Sequence, residues 1–271
     1  MSLDSIFNNP TEENLFEFGF ESPFLDKYFS LVKKFKPNHA CLNLYGPFSM
    51  SIMIQSVDNL PHTIAEKDYR KLLIQSVCVK ALWLIKAIKK ISPETRPLII
   101  LEEPYLNKLG DLKRNNEEIT DELVTNMFAK VVEKLKQEGA DVCIQSFEKC
   151  NWRIPINANV DMISFDAFNN PDNLSVIPDE ITEFISKGGK INWAIVPSIN
   201  EYTAKSCNID LVEKKLFSAF ESLIISGVSE KFVYNSSSVS INGNIDHLSI
   251  FFAEKLIILA NQLSKKIPVK S

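Results

Sequence analysis

Cysteines paired at metal or redox spacing are missing from this chain. The five present, Cys41, Cys78, Cys143, Cys150 and Cys207, form no CxxC and are odd in number. That argues against a disulfide framework and fits a reducing compartment. A basic excess is missing too, since 30 Lys and Arg stand against 34 Asp and Glu for a net charge of -4. Nucleic acid and anionic membrane are therefore not expected as partners, and a small-molecule substrate is. No hydrophobic run is long enough to span a bilayer: the most apolar stretch, residues 247–263, is interrupted by Glu254 and Lys255. The first seven residues include Asp4 and no basic n-region, so they do not read as a secretory signal, and a cytoplasmic location is expected. Histidine is scarce, and His39, His62 and His247 lack the spacing of zinc ligands. Surface or packing roles suit all three better.

What is present suits one α/β domain. A chain of 271 residues with 45% hydrophobic content can fill an α/β barrel, which needs about 250 residues. Six β-rich runs stand out, at 40–45, 98–101, 142–145, 162–165, 191–196 and 232–234. Between them lie stripes of helical spacing: Leu73, Val77, Ala81, Leu84 and Ile88; Ile119, Leu123, Met127, Val131 and Leu135; Leu248, Phe252, Leu256, Leu259 and Leu263. Gly139, Gly188 and Gly227 each follow a helical run and precede a strand, as helix C-caps do, while Asn208 or Asp210 and then Asp246 can cap the helices after them. Alternating strands and helices imply parallel pairing. The expectation is a single (β/α)8 TIM-type barrel over residues 1–271, atypical or incomplete at its N-terminus (residues 1–36). There the alternation Phe16, Phe18, Phe20 suggests a seventh strand, residues 23–35 a helix, and residues 1–7 an irregular piece.

Ligands of parallel α/β proteins bind outside the carboxyl ends of the strands. At those ends this sequence places Tyr45, Gly46 and Ser49; Glu102, Glu103 and Tyr105; Gln145; Asp166; Ser198; and a serine run that includes Ser237. Glu103 and Asp166 are the candidate catalytic carboxylates. Tyr45, Gly46, Ser49, Glu102, Tyr105, Gln145, Trp193 and Ser237 are the candidate substrate contacts. Bland readings stand beside these. Of Glu102 and Glu103, one can be a pocket group and the other a loop charge; Asp166 can cap a turn; Gly46-Pro47 shapes a turn; Trp193 can be a core residue.

The ordered set Tyr45-Gly46-Pro47-Phe48-Ser49, Leu101-Glu102-Glu103-Pro104-Tyr105-Leu106, Gly139-Ala140-Asp141-Val142, Asn151-Trp152 and Val160 to Asp166 resembles the C-terminal domain of cobalamin-independent methionine synthase and its smaller relatives. These belong to the uroporphyrinogen decarboxylase/methionine synthase-like barrel superfamily, and the similarity runs over residues 40–271. The resemblance implies a methyltransferase in which zinc binds a thiol substrate and favours its thiolate. It also implies His and Cys ligands after the third run and a further Cys after the last. At those places stand Gln145, Ser146 and Phe147, and Asn235-Ser236-Ser237-Ser238-Val239. The acidic ligand position falls near Asp166. An amide and hydroxyls replace imidazole and thiolate poorly on zinc, and Cys143 and Cys150 do not complete a ligand set. No metal or other cofactor is expected. The decarboxylase branch holds a polyanion with arginines, but Arg70, Arg96, Arg114 and Arg153 are not at strand ends. The reading is therefore a methionine synthase-like barrel with a degenerate zinc site and a small-metabolite pocket. The alternative is a zinc-free binding or non-catalytic relative, or more remotely a partner-binding scaffold.

Overall fold

The computed structural model describes residues 3–16, 19, 22–58 and 64–270. The chain divides into two compact units, one of residues 1–145 with 157–160, the other of residues 146–156 with 161–271. It is an α/β fold with six parallel strands among the described residues, three per unit.

The first unit begins with α1 (Leu3–Asn8), α2 (Glu12–Phe16) and α3 (Pro23–Phe35). β1 (His39–Tyr45), α4 (Pro47–Asp58), α5 (Lys67–Ile91) and β2 (Arg96–Glu102) follow, then α6 (Leu109–Asn115), α7 (Asp121–Gln137) and β3 (Asp141–Ser146). β2 lies between β1 and β3 and pairs in parallel with both. The apolar stripe of α5 is buried along its length, and this helix packs on β1, β2 and α7. Of the piece at 1–7 read as irregular, the described part lies in helix α1: Ile6 is buried, and Asp4 accepts a hydrogen bond from Gln75 at 2.6 Å. The proposed seventh strand is not formed at Phe16, which ends α2, while Phe18 and Phe20 lie outside the described residues. The helix at 23–35 forms as read, with Ser22 as its N-cap.

The second unit holds α8 (Arg153–Asn157), β4 (Met162–Asp166), α9 (Pro178–Ser186) and β5 (Lys190–Pro197). It continues through α10 (Glu201–Ser206), α11 (Ile209–Ile225), α12 (Glu230–Asn235), β6 (Ser237–Asn242) and α13 (Ile250–Ser264). β5 pairs in parallel with β4 and β6. An aromatic chain fills the core: Phe165 and Phe220 lie 5.1 and 5.0 Å from Trp193, and Trp152 and Tyr234 extend it at either end.

Two sequence expectations need correction here. Phe232–Tyr234 is not a strand but the middle of α12. Val233 is buried and Tyr234 packs on Phe217 and Phe220, so tertiary contacts override the β-propensity of the run. The strand is the serine-rich segment that follows it. The cap of α13 is Ser249 rather than Asp246. Asn208 does cap α11, accepting from the Leu211 amide at 2.9 Å, and Gly139, Gly188 and Gly227 take the positive φ angles that favour glycine at helix ends.

Candidate functional site

Register sorts the polar residues of the first unit onto two faces. Neighbouring side chains along a strand point to opposite faces, and paired residues of adjacent strands share one. Ala40, Leu42, Ile99, Leu101, Val142 and Ile144 form the buried face. On the other, Tyr45 pairs with Glu102 and Glu102 with Gln145, so three polar side chains form one row at the carboxyl ends. Tyr45 is exposed, while Glu102 and Gln145 are half-buried. One layer deeper, Asn43 donates from Nδ2 to Glu102 Oε1 at 2.7 Å. This holds one carboxylate oxygen of Glu102 in place. Sequence reasoning missed Asn43. Its signal was the exposed alternation His39, Cys41, Asn43, Tyr45 along β1.

Glu103 has a different setting. It is fully buried, and its carboxylate accepts from the Phe48 amide at 3.1 Å and the Ser49 amide at 2.6 Å. These are among the first N–H groups of α4, which have no partner within the helix. The carboxylate thus caps α4 from another strand's end, where the helix dipole favours negative charge. Burial pushes the Glu103 carboxyl up to about 7, against the Ser49 hydroxyl and the two amides, which pull it down. Gly46 is required here, because a Cβ would overlap Glu103 Oε1. Ser49 is buried, and its hydroxyl accepts from the Tyr105 amide at 3.2 Å, so Tyr105 joins through its backbone. Gly46, Ser49, Glu103 and Tyr105 are therefore brought together as the frame of the turn, beside the row that carries Glu102.

At the other end of these strands, Asp141 takes a bidentate pair from Arg96 at 2.7 and 2.6 Å, with His39 3.6 Å away. His39 thus sits at the amino ends, as its position before a strand implied. His62 lies outside the described residues.

In the second unit Asp166 ends β4, nearly buried, and accepts from the amide and side chain of Asn169 at 3.0 and 2.6 Å. Its local work is a turn cap. Trp193 is fully buried, and its Nε1 donates to Ser237 Oγ at 2.8 Å. Ser237 opens β6 and pairs with neither strand end, lying level with Ile191 near the start of β5. The structure therefore does not bring Trp193 or Ser237 to the carboxyl ends: Trp193 is a core residue within β5, and Ser237 opens a last strand that lies later than the sequence suggested. The residues at those ends are Asp166, Ser198 and Asn242, with Ser198 Oγ donating to the Asn242 carbonyl at 2.5 Å. His247 Nε2 lies 2.9 Å from the Ser198 carbonyl, a packing role.

A second polar group was also missed. Asn192, near the start of β5, donates from Nδ2 to Ser164 Oγ and Ser240 Oγ, each at 2.8 Å, and Ser238 Oγ donates to its Oδ1 at 3.1 Å. The signal was the alternation of small polar and apolar residues in β4, β5 and β6.

The residues present do not fit zinc. Gln145 offers an amide, Ser146 is a buried hydroxyl, and the Asn235 side chain is engaged with the Lys270 backbone at 2.8 Å in both directions. Cys143 is buried within β3 and Cys150 is half-buried in a loop. Among the described residues no group of three or more His, Cys, Asp or Glu is placed to hold a metal ion. No described helix is long and apolar enough to cross a membrane. Compared with known proteins, the chain matches no protein-family model and no curated protein sequence.

Proposed function

We propose that this chain is a metal-free, methionine synthase-like barrel protein that binds a small polar metabolite at the carboxyl ends of its strands. Glu102 is the ligand-facing carboxylate and Glu103 the group that holds the turn beneath it. The observation that carries the reading is the row Tyr45, Glu102, Gln145, with Asn43 fixing Glu102 on the exposed face. A half-buried carboxylate between a phenol and an amide suits a ligand with an ammonium group and a neighbouring hydroxyl or amide. Parallel pairing in both units and the Gly46-Pro47 turn support the barrel class. Methyl transfer rests on resemblance alone, and the donor set gives a zinc-bound thiolate no home.

The test is a thermal-shift panel of amine-bearing metabolites run in chelator and again with added zinc. A ligand that raises the melting temperature equally in both conditions, and about tenfold more weakly bound by Glu102→Gln, supports the proposal. Stoichiometric zinc in the native protein, or binding that appears only with zinc, would sink it.

A further inference from the structure

The leucines of the last helical stripe, Leu256, Leu259 and Leu263, form the inward face of α13, which packs on β5, β6, α10 and α11. This helix carries a second apolar face as well. Ile250, Phe251, Ile257 and Ile258 are 79%, 70%, 51% and 54% exposed. At about 3.6 residues per turn they share one stripe with Glu254 and Asn261, opposite the buried leucines. A surface helix ordinarily places charged and polar side chains there. The only charged residues of α13 are Glu254 and Lys255, and Lys255 is turned aside, donating to the Ala204 and Lys205 carbonyls at 2.8 Å each.

A large apolar side chain presents on the order of 150–200 Å² when fully exposed, so these four offer roughly 400–500 Å². Patches of that size on a monomer mark interaction sites. Two copies of the patch with their polar rims approach the low end of specific interfaces, about 1,200 Å² in total. The order of residues along the stripe selects the occupant. Ile257 and Ile258 are central, with Glu254 three residues before the first and Asn261 three after the second. An antiparallel second copy, related by a twofold axis between Ile257 and Ile258, sets Ile257 against Ile258 and Glu254 against Asn261. It also lays Ile250 along the stem of Lys265. Each carboxylate then meets an amide donor, with the Lys265 ammonium one turn away. A parallel copy would instead set Glu254 on Glu254. A lipid surface favours helices with Lys and Arg flanking the apolar face, whereas this chain has a net charge of -4 and the one lysine of α13 is already bonded.

We infer that the outer face of α13 is a self-complementary interface, at which two copies of this chain pair with their α13 helices antiparallel. The inference stands on the second unit and uses no residue of the Glu102 row.

The experiment is sedimentation equilibrium of the full chain across the micromolar range, where a reversible monomer–dimer equilibrium is expected. Ile257→Glu and Ile258→Glu each bring a carboxylate to the axis and should weaken the dimer about a hundredfold. Both side chains are more than half exposed, so the far-UV circular dichroism of these variants should match the parent, and loss of pairing will not reflect loss of fold. The register is read from two further variants. Asn261→Lys sets an ammonium against Glu254 of the second copy and should tighten the dimer about tenfold, while Asn261→Glu should loosen it by as much. A chain that stays monomeric throughout would overturn the inference, and cosedimentation of that monomer with phosphatidylcholine vesicles would make a lipid surface the occupant instead. So would a dimer untouched by both isoleucine variants. Asn261 variants that leave the dimer unchanged, or shift it in the same direction, would overturn the antiparallel pairing.

Discussion

Glu102 and Glu103 are the same residue type at adjacent positions, yet their surroundings separate them completely. One shares an exposed face with Tyr45 and Gln145; the other is sealed under the first turn of α4. Removing the sealed carboxylate in Glu103→Ala strands two buried amides and should cost about 2 kcal/mol in urea unfolding. Gly46→Ala forces a methyl into the same carboxylate and should cost about 2–4 kcal/mol. Combining the two should be less than additive by about 1 kcal/mol or more, since the shortened side chain relieves the clash; full additivity would place them out of contact. Glu103 also sets a pH dependence. Burial pushes its folded carboxyl up to about 7 from an ordinary 4.5, so between those values the folded state holds the extra proton. Stability is therefore favoured at low pH and declines as pH rises through the folded value, by roughly 3 kcal/mol in all. Urea midpoints measured from about pH 5 to about pH 8 should show this decline in the parent and a flatter profile in Glu103→Gln.

At the scale of elements, the sequence was legible where one physical signal dominated. The stripes of α5, α7 and α13 were visible because one face of each helix meets the core, and the glycines at 139, 188 and 227 because a left-handed turn has few other occupants. Five of the six strands stand where their apolar runs implied. The last was misread because Phe232-Val233-Tyr234 has strand composition but packs as a helix, while β6 is rich in serine and resembled a loop. Ser238 and Ser240 follow from the polar face they share with Asn192, and Ser237 from its bond to Trp193, long-range partnerships that a local window does not contain. The candidate site was legible to the same degree: strand ends marked Tyr45, Glu102 and Gln145, but which of two adjacent carboxylates faced outward depended on where β2 stopped. Of the caps read from the sequence, Asn208 holds α11, while Asp246 gives way to Ser249 at α13. Thr120 accepts from the Leu123 amide at 3.1 Å at the start of α7, and Thr120→Ala should lower stability by about 1 kcal/mol, measured as a shift in the denaturant midpoint at constant slope.

For the molecule as a whole, the tryptophans offer a separate probe of each unit. Trp152 and Trp193 lie in the aromatic core of the second unit, while Trp83 meets Phe29 in the first. Trp83→Phe should therefore retain blue-shifted emission from rings that are almost fully buried, shifting to the red only when the second unit opens. A red-shifted spectrum of that variant under native conditions would contradict the core described above. Truncating the central ring in Trp193→Ala should cost about 3–5 kcal/mol, more than any single surface change, because Phe165 and Phe220 both lose their neighbour.

The adjacency of the two carboxylates has a consequence for how such a chain can vary. Because the pleat assigns them opposite directions, inserting or deleting one residue ahead of them in β2 would trade their places: the cap would swing toward the Tyr45 and Gln145 face and the Glu102 carboxylate toward the helix. The strand can exchange many of its side chains, but its length is held to a fixed count.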